Sequence, residues 1–481
     1  MAWLSEVIAV VSALTHVGAA TAVSCHAVLT KDDPRAAVGW VGLAWLTPFV
    51  GSAIYVVLGI NRVSRRGARL GRLRHTWEVS APALTFDPEA DAVADAERGI
   101  MRALTTLGQS VTSRPLLRGN AIEPLGDGDT AYPAMVEAID AATRTVALCS
   151  YIFRPDVAGR RFVDALAAAC GRGVEVRVLV DGIGAGYLWS PILARLEAVG
   201  VPAARFMHSF VPWRMPYLNM RTHRKILVVD GRTGFTGGMN IARANLHSSA
   251  PRRPIHDLHF RVEGPVVSQL MAAFAEDWHF TTGEELSDPG WFPDPVERGD
   301  TVARAIPSGP DEDLEKLLWV IGGAIERAQH RVRIVTPYFL PDQRLITTLA
   351  LAALRGIAVD IVLPAHSNHF FMDWAAFAQH EQLLRPGCRI HLSPRPFDHS
   401  KLMTVDGRWA LIGSANWDAR SLRLNFEHNV ECYDRGLAAR LDALIDAKLA
   451  AAAPLTLEAV RGRPALRKLR DGFTRLLLPY L

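Results

Sequence analysis

The chain has 481 residues, a formal net charge of +4 and 49% hydrophobic residues; this length exceeds what one hydrophobic core usually spans and predicts at least two domains. So small a basic excess excludes a general nucleic-acid-coating role, and five scattered cysteines (Cys25, Cys149, Cys170, Cys388, Cys432) with no CxxC pair exclude a disulfide framework or a zinc site and fit a reducing compartment.

The amino terminus is the most apolar part. Val7 to Thr30 and Ala36 to Ile60 contain no Asp, Glu, Lys or Arg, and about 20 apolar residues suffice to cross a bilayer. With the short polar turn Lys31 to Arg35 between them, residues 1–61 are expected to form a hairpin of two transmembrane helices, Pro48 and Gly51 kinking rather than breaking the second. Trp40, Trp45 and Tyr55 suit interfacial positions. Arg62, Arg65, Arg66, Arg69, Arg72 and Arg74 follow, with no acidic residue before Glu78. By the positive-inside rule this cluster places everything after it in the cytoplasm, on a multi-pass protein of the cell membrane. Each arginine beside a bilayer also attracts anionic headgroups, by about 1 kcal/mol. The competing reading, a cleaved signal peptide before a single helix, lacks a basic stretch ahead of Glu6.

Residues 62–115 read as a basic juxtamembrane segment and linker with one helix near Val93 to Leu107. Two similar α/β units follow, over 116–286 and 301–440. In the first, a helix over Met135 to Ala142, a strand over Thr145 to Phe153, a helix over Gly159 to Cys170 and a strand over Val174 to Val180 are expected. The second repeats this order over Leu317 to Ala328, Val332 to Leu340, Leu345 to Leu354 and Ile357 to Leu363. Tyr151-Ile-Phe-Arg-Pro155-Asp156 answers Tyr338-Phe-Leu-Pro341-Asp342. Alternating strands and helices of this length predict a sheet covered on both faces. Ser287 to Asp300 marks the boundary, and Trp291 and Phe292 argue that it is packed.

Each unit also carries HxKxxxxD: His223, Lys225 and Asp230 in the first, His399, Lys401 and Asp406 in the second. The chain has only six lysines, and two of them fall at the same motif position. Side chains at i and i+2 of an extended segment share a face, so each His-Lys pair points into one cleft while Arg224 points away. Asp230-Gly231 and Asp406-Gly407 suit hairpin turns. The second strand of each hairpin leads to Gly237-Gly-Met-Asn240 and Gly413-Ser-Ala-Asn416. There a small residue lets backbone approach an anion, and Asn240 and Asn416, with Ser414 alongside, can bind phosphate. Glu427, and less directly Asp257, are carboxylates able to orient a histidine. Breaking a phosphodiester without a metal needs a nucleophile, a cationic clamp and an acid for the leaving oxygen, all of which two histidines and two lysines supply. No metal ligands or cofactor are expected. His256, His259, His366 and His369 read as surface or core histidines; Arg420 and Arg423 are within reach of phosphate but read first as ion-pair partners near Asp418 and Glu427.

These motifs resemble the phospholipase D superfamily, whose members carry the motif twice in a bilobal chain, and within it the bacterial cardiolipin synthases. The likeness runs through Gly413-Ser-Ala-Asn416, Asp418-Ala-Arg420-Ser421 and Leu424-Asn425-Phe426-Glu427, and through Arg221 to Ile241 with Asn219 upstream. It implies two duplicated phospholipase D-like α/β/α lobes on a pseudo-two-fold axis behind the hairpin. It also implies a nucleophilic His223, an acid/base His399, phosphate contacts from Lys225, Lys401, Asn240 and Asn416, and structural roles for Asp230 and Asp406. Thr222, Ala242-Arg-Ala-Asn245 and Cys149-Ser150 depart from the family pattern, and the loop at Arg243 bears on acceptor choice. Residues 441–481 are expected to be a helical tail; Arg461 to Leu481, which alternates basic residues with Leu469, Phe473 and Leu476, suits either a bilayer surface or the catalytic core.

The expected activity is a phosphatidyltransferase joining two phosphatidylglycerols into cardiolipin and glycerol, its partners being phospholipid and membrane and not nucleic acid. A hydrolytic phospholipase D, a tethered nuclease and a non-catalytic scaffold are the alternatives.

Overall fold

The computed structural model describes residues 2–31, 33–59, 84–88, 95–186, 188–208, 221–309 and 314–476. The arginine cluster at 62–74, Asn219 and the last five residues lie outside the described residues. The chain divides into two compact units, Met1–Arg66 and Gly67–Leu481.

In the first unit, Ala2–Thr30 is one continuous helix, and its segment Trp3–Thr30 is the single stretch among the described residues long and apolar enough to cross a membrane. The second apolar run corrects the expectation of an unbroken span. It forms Pro34–Leu46, then a short helix Val50–Ile54 that passes into one π-helical turn, Tyr55–Gly59. Pro48 has no N–H to continue the helix, and Phe49 sits at φ 61°, so the chain breaks where a kink was expected. The legs nonetheless pack as a hairpin, Ala20, Val23 and Ala27 against Ala44 and Tyr55, with His26 Nδ1 2.7 Å from the Tyr55 hydroxyl.

The second unit is built on one fifteen-stranded sheet whose two halves repeat the same order. From the centre outward the first lobe runs Leu117–Gly126, Leu258–Glu263, Thr233–Gly237, Ile226–Val229, Thr145–Ser150, Glu175–Asp181 and Ala203–Phe206. The second runs Thr301–Ser308, Glu427–Tyr433, Trp409–Gly413, Leu402–Val405, Arg331–Val335, Ala358–Pro364 and Arg389–Ser393, with Ala453–Leu455 added at its edge. Antiparallel pairing of Leu117–Gly126 with Thr301–Ser308 joins the halves. Each outer triplet is parallel, as expected of apolar strands separated by helices.

Helices Val157–Gly171 and Gln343–Leu354 cover the outer face of their own lobes, over cores containing Phe162 and Leu166, and Ile325 and Leu349. On the other face Val266–Thr282 and Arg435–Ala451 share a single core across the lobe junction, in which Ile226 and Phe274 join Ile412 and Leu441. The linker helix spans Asp95–Thr112, and the first-lobe helix, Asp127–Asp140, starts earlier than periodicity suggested. The strand expected over Val332 to Leu340 divides into Arg331–Val335 and Phe339–Leu340.

The boundary segment is packed: Trp291 is 1% exposed, and Pro293 presses on Gly231, where a Cβ would come within 2.3 Å of the ring. In the tail, helix Ala465–Leu476 docks on Phe370–Leu384 by its polar side. Arg463 and Arg470 lie 4.0 Å over the rings of Phe377 and Trp374, and both pair with the buried Asp471. Leu466, Leu469, Phe473 and Leu476 are turned outward, 58–81% exposed.

Candidate active site

The motif aspartates fix the hairpins that carry the site. Asp230 and Gly231 (φ 51° and 61°), like Asp406 and Gly407 (53° and 64°), lie in the left-handed region at the centre of turns that Arg232 and Arg408 close by donating their amides to the carbonyls of Val229 (3.0 Å) and Val405 (3.1 Å). The Asp230 carboxylate accepts from the amides of Thr143, Arg144 and Thr145 at 3.0, 2.8 and 2.9 Å. Asp406 accepts from Gln329, His330 and Arg331, each at 2.8 Å. Each clamps its hairpin to the neighbouring strand, away from the cleft. Burial works to raise the Asp230 carboxyl, and the amide donors outweigh it and hold it low.

The histidines are positioned by exchange between lobes. His223 donates its amide to the carbonyl of Phe426 (2.8 Å), and His399 donates its own to the carbonyl of His256 (2.7 Å). These bonds belong to two short parallel pairings, Thr222 with Phe426 and Phe397–Asp398 with Ile255–His256. Consequently each histidine faces the carboxylate that follows its pairing partner in the opposite lobe. His223 Nδ1 lies 2.9 Å from Glu427 Oε2, and His399 Nδ1 lies 2.6 Å from Asp257 Oδ2. Both imidazoles line one cleft of about 450 Å³ with Asn240, Asn416, Asp257, Tyr151 and Tyr338. With Nδ1 engaged, Nε2 is the nitrogen each ring has left for a reacting phosphorus or oxygen.

Lys225 and Lys401 turn to the same side as their histidines, Nζ donating to the carbonyls of His223 (2.7 Å) and His399 (2.5 Å). Arg224 turns the opposite way and pairs with Asp277 at 2.8 Å beneath the sheet. Asn240 Oδ1 accepts from the Ile152 amide (3.0 Å), and Asn416 Nδ2 donates to Ser421 Oγ (3.2 Å). Ser414, expected at phosphate, is fully buried outside the cleft lining and donates to Glu427 at 2.6 Å. Gly238 holds the corresponding place in the first lobe, where a Cβ would fall 2.3 Å from Asp257 Oδ1. A glutamate with a supporting serine in one lobe thus answers an aspartate against a glycine in the other.

Three residues outside the expected set of site residues face this cleft: Arg221, Arg420 and His369. For Arg420 this is the cleft-side alternative to plain ion pairing, and for His369 it corrects the surface-or-core expectation. Arg423 forms an ion pair, but with Glu315 at 2.7 Å rather than with the carboxylates near it in sequence. In the loop after Asn240, Ala242, Ala244 and Asn245 border the cleft, while Arg243 donates to the Ser249 carbonyl at 2.7 Å.

Burial dominates the electrostatics. It pushes Lys225 down to about 7 and Lys401 to about 8, partly offset in each by the two carboxylates. It lowers both histidines, helped by the neighbouring lysines, and raises Glu427 to about 7 against the pull of Lys225. Burial therefore makes every cation in the free site easier to deprotonate, and an entering anion favours the protonated form of the lysines and of the acid histidine. Such a set can attack phosphorus with one ring, exchange a proton through the other and clamp phosphoryl oxygens with ammonium groups.

Comparison with known proteins identifies the family and the fold. The family described as "Cardiolipin synthase, PLD-like domain" matches residues 135–278 and 321–449, one segment in each lobe. The chain belongs to this family. Cardiolipin synthase A of Pseudomonas aeruginosa (strain PAO1) is 31% identical over 457 residues, covering 95% of this chain and 93% of that protein. Cardiolipin synthase of Geobacillus thermodenitrificans (strain NG80-2) is 31% identical over 465 residues, covering 94% and 90%. The crystal structure of phosphatidylserine synthase from Haemophilus influenzae Rd KW20 shares the fold, with a TM-score of 0.61 at 18% identity over 80% of this chain and 100% of that one. This member of the cardiolipin synthase family is thus an enzyme of the phosphatidyltransferase type with duplicated phospholipase D-like lobes.

Proposed function

We propose that the protein condenses two phosphatidylglycerol molecules into cardiolipin and glycerol in two displacements at one phosphorus, the lobes acting on the cytoplasmic side of the cell membrane behind the N-terminal hairpin. The observation that carries this reading is the reciprocal arrangement of two histidines in one cleft, each held by the other lobe's carboxylate.

In the first displacement the Nε2 lone pair of His223 attacks phosphorus and the bond to the glycerol headgroup breaks. His399, as imidazolium stabilised by Asp257, gives its proton to the departing oxygen, and glycerol leaves. In the second, neutral His399 takes the proton from a headgroup hydroxyl of another phosphatidylglycerol. That oxygen attacks phosphorus, the P–N bond breaks and His223 is restored. Lys225, Lys401, Asn240 and Asn416 hold the phosphoryl oxygens, where charge grows in each transition state. Asp230 and Asp406 act through the hairpins only.

The outward apolar stripe of helix Ala465–Leu476, beside Arg467 and Arg475, supports a lobe that meets a bilayer of anionic lipid. Purified full-length protein with phosphatidylglycerol vesicles should release one glycerol per cardiolipin formed. Phosphatidic acid as the main product would replace this reading with a hydrolase, and absence of both products from folded protein would reject it.

A further inference from the structure

The loops that follow the parallel strands furnish much of the cleft lining. Tyr151 follows Thr145–Ser150, Tyr338 follows Arg331–Val335, and His369, Phe371 and Met372 follow Ala358–Pro364; all five line the cleft. Ligand sites on parallel strands usually lie at these carboxyl ends. Two such loops also send large apolar side chains into solvent, at matching places in the two lobes. Between strand Glu175–Asp181 and helix Pro191–Ala198, Leu188 and Trp189 are 77% and 70% exposed. Between strand Ala358–Pro364 and the body of helix Phe370–Leu384, Phe370 is 62% exposed.

Both places adjoin the cleft. Phe370 lies between His369 and Phe371, which line it. In the first lobe Gly184 packs on the main chain of Tyr151, where a Cβ would fall 2.1 Å from the carbonyl oxygen. Gly186 (φ 109°) then turns the chain so tightly that a Cβ would come within 2.3 Å of the Trp189 carbonyl oxygen. Leu188 and Trp189 thus project from a compact turn rooted against a cleft residue.

A lone exposed apolar side chain needs no explanation. Here duplication sets one group on each lobe beside the same opening, and the second-lobe group continues into a larger apolar surface. The Phe370 ring lies 4.8 Å from that of Trp374, over which Arg470 sits. The links Arg461 to Glu381, Arg463 to Phe377 and Arg470 to Trp374 run the tail antiparallel to helix Phe370–Leu384. The outward Phe473 and Leu476 are therefore carried towards Phe370.

The size of the cleft and the charge around it identify what covers this face. About 450 Å³ is room for one small-molecule ligand, so the cleft takes the headgroups of phosphatidyl substrates and leaves their acyl chains outside. In helix Ala465–Leu476, Arg467, Lys468 and Arg475 stand beside the stripe, while the helix's one acid, Asp471, pairs with Arg463 and Arg470. Apolar side chains set among cations suit a bilayer of anionic lipid, and tryptophan favours its interface.

Deepening the function proposed above, and resting on it for the lipid substrate, we infer that the mouth of the cleft is itself a membrane-docking face. Leu188 and Trp189 from one lobe and Phe370 from the other enter the leaflet beside the opening. Headgroups then rise into the cleft while their chains stay among lipid, so neither substrate has to leave the bilayer.

The test uses full-length protein in phosphatidylglycerol vesicles. Trp189→Phe removes one of twelve tryptophans, so wild-type emission minus that of the variant reports Trp189; Phe370→Trp adds one on the other lobe, read by the reverse subtraction. Bromine on the acyl chains should quench most of each difference signal, and iodide in the water should leave most of it. Trp189→Glu with Phe370→Glu should lower turnover of vesicle phosphatidylglycerol roughly tenfold or more, the cost of withdrawing one large apolar side chain from lipid. Tm and turnover of monomeric short-chain phosphatidylglycerol should hold. Difference signals that bromine does not quench, no loss on vesicles, or equal loss on both substrates would overturn the inference. Phosphatidic acid as the main product would overturn the proposed function and leave the quenching result standing.

Discussion

Asp257→Asn is the sharpest test of the cross-lobe histidine. The carboxylate is 1% exposed; Oδ1 accepts from the Leu258 amide at 2.8 Å, and Oδ2 faces His399 Nδ1 at 2.6 Å. In an asparagine of the same shape the amide oxygen must stay on the Leu258 N–H, so the NH₂ group turns to His399. There it can only donate, which places the ring proton on Nε2 and removes the base. The carboxylate also stabilises the imidazolium: unit charges about 4 Å apart at an effective dielectric of 20 interact by about 4 kcal/mol, or roughly a thousandfold in rate. Loss of the right tautomer adds to this, and a comparable buried Asp-to-Asn change in a serine protease costs about 10⁴ in kcat. We expect kcat for cardiolipin formation to fall by about 10³ to 10⁴ with the fold intact. A p-nitrophenyl phosphodiester of diacylglycerol needs no acid for departure, so the variant should give one equivalent of p-nitrophenol as a burst and then stall with His223 phosphatidylated. Turnover within tenfold of wild type, or equal loss with both substrates, would refute the role assigned to Asp257.

Three further outcomes follow from the buried charges and the tail. For Lys225, an amine held near 7 in the folded protein against 10.5 ordinarily binds fewer protons folded than unfolded between those values. Its charge therefore penalises folding below pH 7, by at most about 5 kcal/mol. Lys225→Met should abolish turnover yet raise Tm at pH 6, with the gain shrinking towards pH 10; a lower Tm at pH 6 would contradict this. In wild type, kcat/KM should fall with rising pH through an alkaline limb near 7 to 8, as Lys225 and Lys401 lose the protons that clamp phosphate. A profile flat to pH 9.5 would exclude that role. Leu466→Glu with Phe473→Glu alters exposed positions only, so Tm should hold. Activity on vesicles should drop several-fold while activity on monomeric short-chain phosphatidylglycerol persists; parallel loss on both would assign the stripe to the fold.

The order of strands and helices in each lobe was legible because apolar runs bounded by Arg172-Gly173 and Arg355-Gly356 recur at matching places, and both glycines do take positive φ (85° and 87°). The His-Lys pairs and the Asp-Gly turns were legible for the same local reason. Partnership across lobes was not. A sequence shows that Glu427 follows Asn416, but not that two short parallel pairings carry it to His223 while Asp257 goes to His399. Ser414 looked like a phosphate ligand because its neighbours are; only the sheet shows its hydroxyl turned to Glu427. Arg420 was legible as a residue within reach of phosphate or of an acid, but nothing local tells that it and Arg221 line the same cleft. Comparing the two lobes position by position, Arg221 against Phe397 and Arg420 against Ala244, is the signal that would have found them. At Pro48 composition misled: hydropathy averages over a window, whereas the break depends on one missing amide and one left-handed residue at Phe49.

The distribution of symmetry within the cleft fits the proposed reaction. An alcohol leaves phosphorus in the first displacement and another arrives in the second, so the groups at phosphorus must serve the step and its reverse. Equivalent histidines, lysines and asparagines on both sides meet that need, and duplication supplies them without a separately evolved second set. Symmetry cannot choose among alcohols, because a centre that treats departure and arrival alike also treats glycerol and a glycerol-bearing lipid alike. That choice has to come from residues where the lobes differ, among which Arg221 against Phe397 and Arg420 against Ala244 line the cleft. The carboxylates differ in length, yet each is matched by its neighbour, Ser414 to Glu427 and Gly238 to Asp257. The mismatch is thereby absorbed before it reaches the imidazoles, and the two halves can diverge in what they bind while remaining alike in what they do to phosphorus.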